Sequence, residues 1–263
     1  MKLPIHQIDA FTHERFKGNS AAVVPLERWL SDAQMQAVAM ENNLSETAFL
    51  LREPDGAFHV RWFSPLTEID FCGHATLASA FVLLDQGMAS APLTFRAAAV
   101  GDISVAQLDD GRLEMNFPNR EPERVENPPA ALLEGLSVVP RAVLRNGQAW
   151  FAVYEDEDQV RRSMPDLAAL KSLAPLDVVI TAPGREQDFV SRYFWPANGG
   201  DEDPVTGSIH AGLAPYWAKR LGKSSLVALQ ASRRSGLLYC RVEGERVFVA
   251  GHAVRYLQGT IEI

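Results

Sequence analysis

The sequence predicts an α+β protein of two pseudo-symmetric lobes, each a mostly antiparallel β-sheet or barrel around a small-residue central helix. Three observations carry this reading. Residues 58–65, FHVRWFSP, are echoed by residues 189–196, FVSRYFWP, at an offset of 131, about half of the 263-residue chain. Both segments have the aromatic and β-branched composition of strands and end in proline. Both run through a polar, acidic loop into a small-residue helix start, CGHATLASA in the first half and TGSIHAGLA in the second.

The remaining elements follow the same plan in order. SDAQMQAVAM carries a Ser31-x-x-Gln34 capping box and reads as a helix, with PDLAALKSL in the matching place. TAFLL (47–51) and VVITA (178–182) follow as matching strands. SVAQLDDGRLEMNF reads as two strands about an Asp-Asp-Gly turn, and LYCRVEGERVFVAG uses Glu-Gly in the same role. The Pro-rich stretch 118–129 is the linker candidate. The lobes are therefore drawn as 1–118 and 119–263, with a return of the last strand to the first lobe left open.

Composition narrows the function classes. With 47% hydrophobic and 22% charged residues, the chain has the makeup of a soluble globular protein. Its net charge of −8 and pI near 5.3 disfavour nucleic acid as a partner. Two cysteines, Cys72 and Cys240, make no disulfide framework, and a reducing, cytoplasmic compartment is the simpler reading. The N-terminal MKLPIHQIDAF has no apolar stretch of the signal-peptide kind, and no run of about 18 apolar residues offers a membrane span. Phosphate-loop, dinucleotide, H-E-x-x-H and G-x-S-x-G motifs are absent. The six histidines do not fall at metal-ligand spacing, which disfavours a structural zinc site.

Three segments are candidates for chemistry. Glu46, between Ser45 and Thr47, sits where a helix gives way to a strand. A carboxylate at the mouth of a buried strand is partly desolvated, which suits it to shuttling a proton; a solvated loop glutamate is the plainer alternative. Gly73 and His74 begin a helix, where the glycine admits close backbone approach and the first-turn N–H groups favour an anion. A packed histidine behind a helix cap is the alternative there, and Cys72 alone reads as a small buried residue. In the segment 200–210, Gly207-Ser208 is the internal counterpart of Gly73-His74, and Asp203 stands ready to hold His74 or a substrate amine. That acidic cluster reads equally as surface.

At these residues the sequence resembles the PhzF-like, phenazine-biosynthesis family. IDAFTHERFKGNSAAVV, NLSETAF, FCGHATLASA, DEDPVTGSIHA and QASRRSGLLYCRVEGERVFVAG run in family order across nearly the whole chain. One departure is Ser20, where the family often has proline. The resemblance implies the diaminopimelate epimerase fold with an active site between two lobes, Glu46 as catalytic glutamate, and assisting roles for Gly73, His74, Asp203 and Ser208. It implies a cofactor-independent isomerase acting on a small, cyclic carboxylic acid, in a homodimer. Catalytic positions are thus Glu46, His74 and Asp203; substrate-binding positions are Ser45, Gly73, Gly207 and Ser208. The rivals are a two-thiol racemase using Cys72, and a metabolite-binding protein on the same fold.

Overall fold

Ser31, in extended conformation, accepts a hydrogen bond from the Gln34 N–H at 3.3 Å, and the Gln34 carboxamide accepts from the Ser31 N–H at 3.2 Å. This closes the capping box and starts α1, Asp32–Asn42, where the sequence placed it. The helix stops at Asn43, which adopts the left-handed conformation at φ 47°. Met35, Val38 and Ala39 bury its inner face against Phe49 and Phe63.

The structure is a computed structural model describing residues 1–263. The chain forms two compact units, Met1–Asn116 with Ala250–Ile263, and Phe117–Val249. The first contains β1 (Lys2–Ala10), β2 (Asn19–Leu26), β3 (Glu46–Arg52), β4 (Phe58–Phe63), β5 (Glu68–Ile69), α2 (Gly73–Asp85), β6 (Leu93–Ala97), β7 (Gly101–Gln107) and β8 (Leu113–Pro118). The second contains β9 (Glu123–Arg124), α3 (Ala130–Gly135), β10 (Ala142–Arg145), β11 (Ala149–Val153), α4 (Glu157–Arg162) and α5 (Leu167–Lys171). It continues with β12 (Asp177–Pro183), β13 (Phe189–Phe194), β14 (Glu202–Asp203), α6 (His210–Leu221), β15 (Ser225–Gln230), β16 (Gly236–Glu243) and β17 (Arg246–Gly251). The last strand, β18 (Ala253–Glu262), belongs to the first unit and runs antiparallel to β1.

Both units repeat one pairing order. In the first, β1–β2 is antiparallel, β2–β3 parallel, β3–β4 and β4–β5 antiparallel, β4–β6 parallel and β6–β7 antiparallel. In the second, β10–β11, β11–β12, β12–β13, β13–β14, β13–β15 and β15–β16 follow with the same senses in the same order. The register aligns individual residues. Ala21 faces Glu46 and Thr47 faces Phe63; in the second unit Ala149 faces Asp177 and Val178 faces Phe194. Glu46 and Asp177 are therefore structural counterparts.

The repeated Arg and Phe of the sequence motif have a shared task. Arg61 grips Glu68 with two hydrogen bonds of 2.6 Å, and Arg192 grips Glu202 at 2.7 and 2.9 Å. Each guanidinium lies over the next aromatic ring, Phe63 at 5.2 Å and Phe194 at 5.1 Å. A planar fork matched to a carboxylate fixes direction as well as distance, so each fork ties its acidic loop back over the strand it leaves.

Helix α2 is buried from Gly73 to Ala80 and again at Val82 and Leu83. Small side chains let strands approach it, and its buried hydroxyls bond within the helix, Thr76 to the Cys72 carbonyl at 2.6 Å and Ser79 to that of Ala75 at 2.7 Å. Helix α6 begins later than its counterpart. Gly207–Ile209 form a tight turn with i to i+3 hydrogen bonds, and the helix proper starts at His210. Pro215, inside α6, has no N–H for the Ala211 carbonyl, which accepts from the Arg120 N–H at 3.0 Å instead. PDLAALKSL yields only the five-residue α5, N-capped by Asp166, and a further short helix, α4, precedes it. No helix is long and apolar enough to cross a membrane.

Candidate active site

In the first unit, β3 and α2 bring Glu46 and His74 together. Glu46 is the first residue of β3 and 5% exposed; His74 is the second residue of α2 and 4% exposed. His74 Nε2 stands 2.9 Å from Glu46 Oε2. That oxygen is buried and has no hydrogen bond of acceptable geometry, despite the short distance. The carboxylate thus lies against the imidazole without being locked onto it.

The imidazole is oriented from its other side. Asn19 Nδ2 lies 3.1 Å from His74 Nδ1, and the Ser45 hydroxyl donates to Asn19 Oδ1 at 3.1 Å. Ser45 therefore sets the Asn19 amide, Asn19 donates to Nδ1, and the ring proton falls on Nε2, close to Glu46 Oε2 but not aligned with it. Gly18 makes the Asn19 position possible. It has φ +64°, and a Cβ there would meet the Ala10 carbonyl oxygen at 2.2 Å. Gly73 is buried as the first residue of α2, and Cys72, the N-cap, makes no side-chain cap bond. Its thiol lies 3.4 Å from His74 Nδ1.

In the second unit, Asp203 ends β14 and is held by its own loop. The Thr206 hydroxyl donates to its carboxylate at 2.5 Å, and Gln230 Nε2 donates to its carbonyl at 2.8 Å. Gly207 is buried in the turn before α6, and Ser208 follows it, half-buried. Ser208 Oγ accepts from Gln148 Nε2 at 2.9 Å.

Behind Gln148 lies a group that the sequence reading missed. Gln148 Nε2 also donates to the Tyr193 phenol at 3.3 Å, and the phenol donates to Asp177 Oδ2. Asn198 donates to Asp177 Oδ1 at 2.7 Å. Burial raises the Asp177 carboxyl pKa above the usual range. Burial, with the Asp177 charge beside it, pushes the Tyr193 phenol well above 10. Because the phenol gives its proton to Asp177, its lone pair faces Gln148, which fixes the amide with nitrogen toward Ser208. The available signal was Asp177 itself, which follows Glu46 by 131 residues, the offset of the repeated strand motif.

Comparison with known proteins decides the family. Residues 8–259 match the family described as phenazine biosynthesis-like protein. The chain belongs to that family. An uncharacterized isomerase of Pseudomonas aeruginosa is 46% identical over 263 residues, with all of both chains covered. A PhzF-family phenazine biosynthesis protein of Enterococcus faecalis, solved as a crystal structure, superposes with a TM-score of 0.95 at 42% identity over the whole of both chains. At the level of fold alone, a hydroxyproline epimerase of Agrobacterium vitis matches with a TM-score of 0.61 at 13% identity, over 99% of this chain and 92% of that one. The phenazine biosynthesis-like family thus shares its architecture with epimerases.

Proposed function

We propose that this member of the family is an isomerase that moves a proton on a small, cyclic carboxylic acid, with Glu46 as the proton carrier and no metal or organic cofactor. The observation that carries the reading is the Glu46–His74 pair: a buried carboxylate 2.9 Å from an imidazole nitrogen, with its Oε2 left without an aligned donor. Such an oxygen is available to a carbon-bound proton. Glu46 takes that proton and returns it to another carbon on the same face of the ring. His74 stabilises the charge that develops on a substrate oxygen, and Asp203 holds a polar substituent. The substrate carboxylate accepts N–H bonds at one or both helix starts, Gly73 and Gly207, with the Ser208 hydroxyl as a further donor. Because Ser208 accepts from Gln148, its own proton is directed to another acceptor.

The two-thiol racemase has less support. Cys240 is a fully buried strand residue of β16, and burial pushes its thiol far above the ordinary range, as expected of an inert cysteine. The test is solvent exchange. The full chain is incubated with cell extract, the retained small molecule is identified, and deuterium wash-in is followed by NMR. Wild-type protein incorporates deuterium, with chelator present or absent, and so does Cys240→Ser; Glu46→Gln retains the molecule without exchange. Exchange that stops in both Cys72→Ser and Cys240→Ser would favour the racemase. Retention without exchange by the wild type would favour a binding protein.

A further inference from the structure

Glu46, Cys72 and His74 form a cluster whose chemistry the isomerase reading does not use up. Their ligand atoms, a carboxylate oxygen, a thiol sulfur and an imidazole nitrogen, all lie within 4.8 Å of one another, and all three residues are buried. His74 Nε2 is 2.9 Å from Glu46 Oε2 and 3.9 Å from Cys72 Sγ. In a tetrahedral zinc centre with bonds of about 2.0–2.3 Å, neighbouring ligand atoms stand roughly 3.3–3.7 Å apart. These two separations bracket that range and the third lies within 4.8 Å, while Sγ is 3.4 Å from Nδ1, so Cys72 turns about its Cα–Cβ bond to join the other two on one ion at Nε2. A second observation points the same way. Glu46 Oε2, on a side chain more than nine-tenths buried, faces this cluster with no hydrogen bond of acceptable geometry.

The surroundings also suit a metal-bound imidazole. With Nε2 on an ion, Nδ1 carries the ring proton and needs an acceptor. Asn19 lies 3.1 Å from Nδ1. Half a turn of its amide presents Oδ1 to that proton and leaves Nδ2 to donate to Ser45 Oγ. The exchange keeps both hydrogen bonds and gives the outer support that ligating histidines ordinarily have.

We propose that Glu46, Cys72 and His74 bind one thiophilic divalent cation of the zinc class, with three protein ligands and a fourth position open. On binding, the Cys72 thiol proton leaves to solvent and sulfur bonds the metal; no electron is transferred. The ion engages the oxygen that otherwise takes the substrate proton, so its occupation inhibits turnover. That consequence rests on Glu46 being the base; the binding itself does not.

The test uses cobalt(II) as a spectroscopic probe on the full chain, freed of metal by a chelator and kept anaerobic. Wild-type protein develops a near-ultraviolet thiolate-to-cobalt charge-transfer band and the intense visible bands of a four-coordinate ion. Both saturate at one equivalent, and one equivalent of zinc bleaches them. Cys240→Ser gives the same spectrum. Cys72→Ser loses the charge-transfer band. Glu46→Gln keeps the sulfur band but binds cobalt roughly tenfold or more weakly; it serves as the second test if Cys72→Ser does not fold by circular dichroism. A wild-type titration without a sulfur band overturns the site, as does a band that survives in Cys72→Ser or an unchanged affinity in Glu46→Gln. The isomerase reading fails separately: if cobalt and zinc bind as described while solvent exchange continues at full rate, the site stands and Glu46 is not the base.

Discussion

Glu46 and Asp177 open the same strand of the same repeated unit, 131 residues apart, yet their surroundings differ. Glu46 reaches His74 and keeps one oxygen without an aligned donor. Asp177, one methylene shorter, is held at both oxygens, by the Tyr193 phenol and the Asn198 amide. The repeat carries a carboxylate at the same point in both units. A proton carrier must have an oxygen to offer, and Asp177 has both engaged. Its network ends instead on Gln148 and Ser208, where it orients a hydroxyl. The two acids differ in which hydrogen bonds each has already made.

The helix starts differ in the same way. His74 opens α2 beside a carboxylate, whereas His210 opens α6 wholly buried, its Nδ1 against the Thr206 carbonyl at 2.9 Å and its ring 5.9 Å from Phe189. Burial lowers the His210 pKa to about 4. It is a neutral core residue.

The largest expected effect is at Glu46. Glu46→Gln keeps the shape but cannot accept a proton from carbon, so exchange falls by roughly 10²–10⁴-fold while ligand is retained. Glu46→Asp falls between, since the acid is offered from a retracted position. Next comes His210. Between its folded value near 4 and the ordinary 6.5, the unfolded chain binds the proton and the folded one does not. Stability is therefore full above about pH 6.5 and is lost as the pH falls toward 4, by on the order of 3 kcal/mol. Thermal melts across that range should show the loss, and His210→Gln should flatten it. If melting temperatures of wild type and His210→Gln fall in parallel, the contrast between the two histidines is misdrawn.

Gln148→Met removes one donor from Ser208 with little change in volume. A neutral hydrogen bond is worth about 0.5–1.5 kcal/mol, so exchange at limiting ligand should slow by roughly 2–10-fold, with the melting temperature little changed. A loss as deep as that of Glu46→Gln would move the chemistry into the second unit. The smallest effect is the stability of Asp177→Asn. The folded Asp177 pKa is raised, so the folded chain holds that proton more tightly than the unfolded one. This favours folding at low pH, and the advantage disappears as the pH rises through the folded value. Asparagine is never charged, so the variant should melt at or slightly above the wild-type temperature at neutral pH, with no such gain near pH 4. A clear drop at neutral pH would show that the charge on Asp177 supports the fold.

The elements most legible in the sequence were those set by periodicity and caps. The Ser31 box, the paired FxxRxF strands and the small-residue helices leave patterns that survive without a structure. Glu46 and His74 were visible through motif resemblance, and the fold adds their 2.9 Å contact. Asn19, Gln148, Tyr193 and Asp177 were not visible. They are joined by side-chain hydrogen bonds across strands, and such bonds impose no spacing along the chain. The repeat held a partial clue, since Tyr193 matches Trp62 and Asp177 falls opposite Glu46, but only the register makes those alignments meaningful.

The most direct test of the central claim is one solvent-deuterium exchange experiment on three proteins, with the molecule retained from extract as ligand: wild type, Glu46→Gln and Asp177→Asn. Asp177→Asn, which disturbs only the orientation of Ser208, should exchange within roughly tenfold of wild type, and Glu46→Gln at least roughly hundredfold more slowly with ligand still bound. Wild-type exchange by Glu46→Gln, or arrest in Asp177→Asn instead, would contradict the claim.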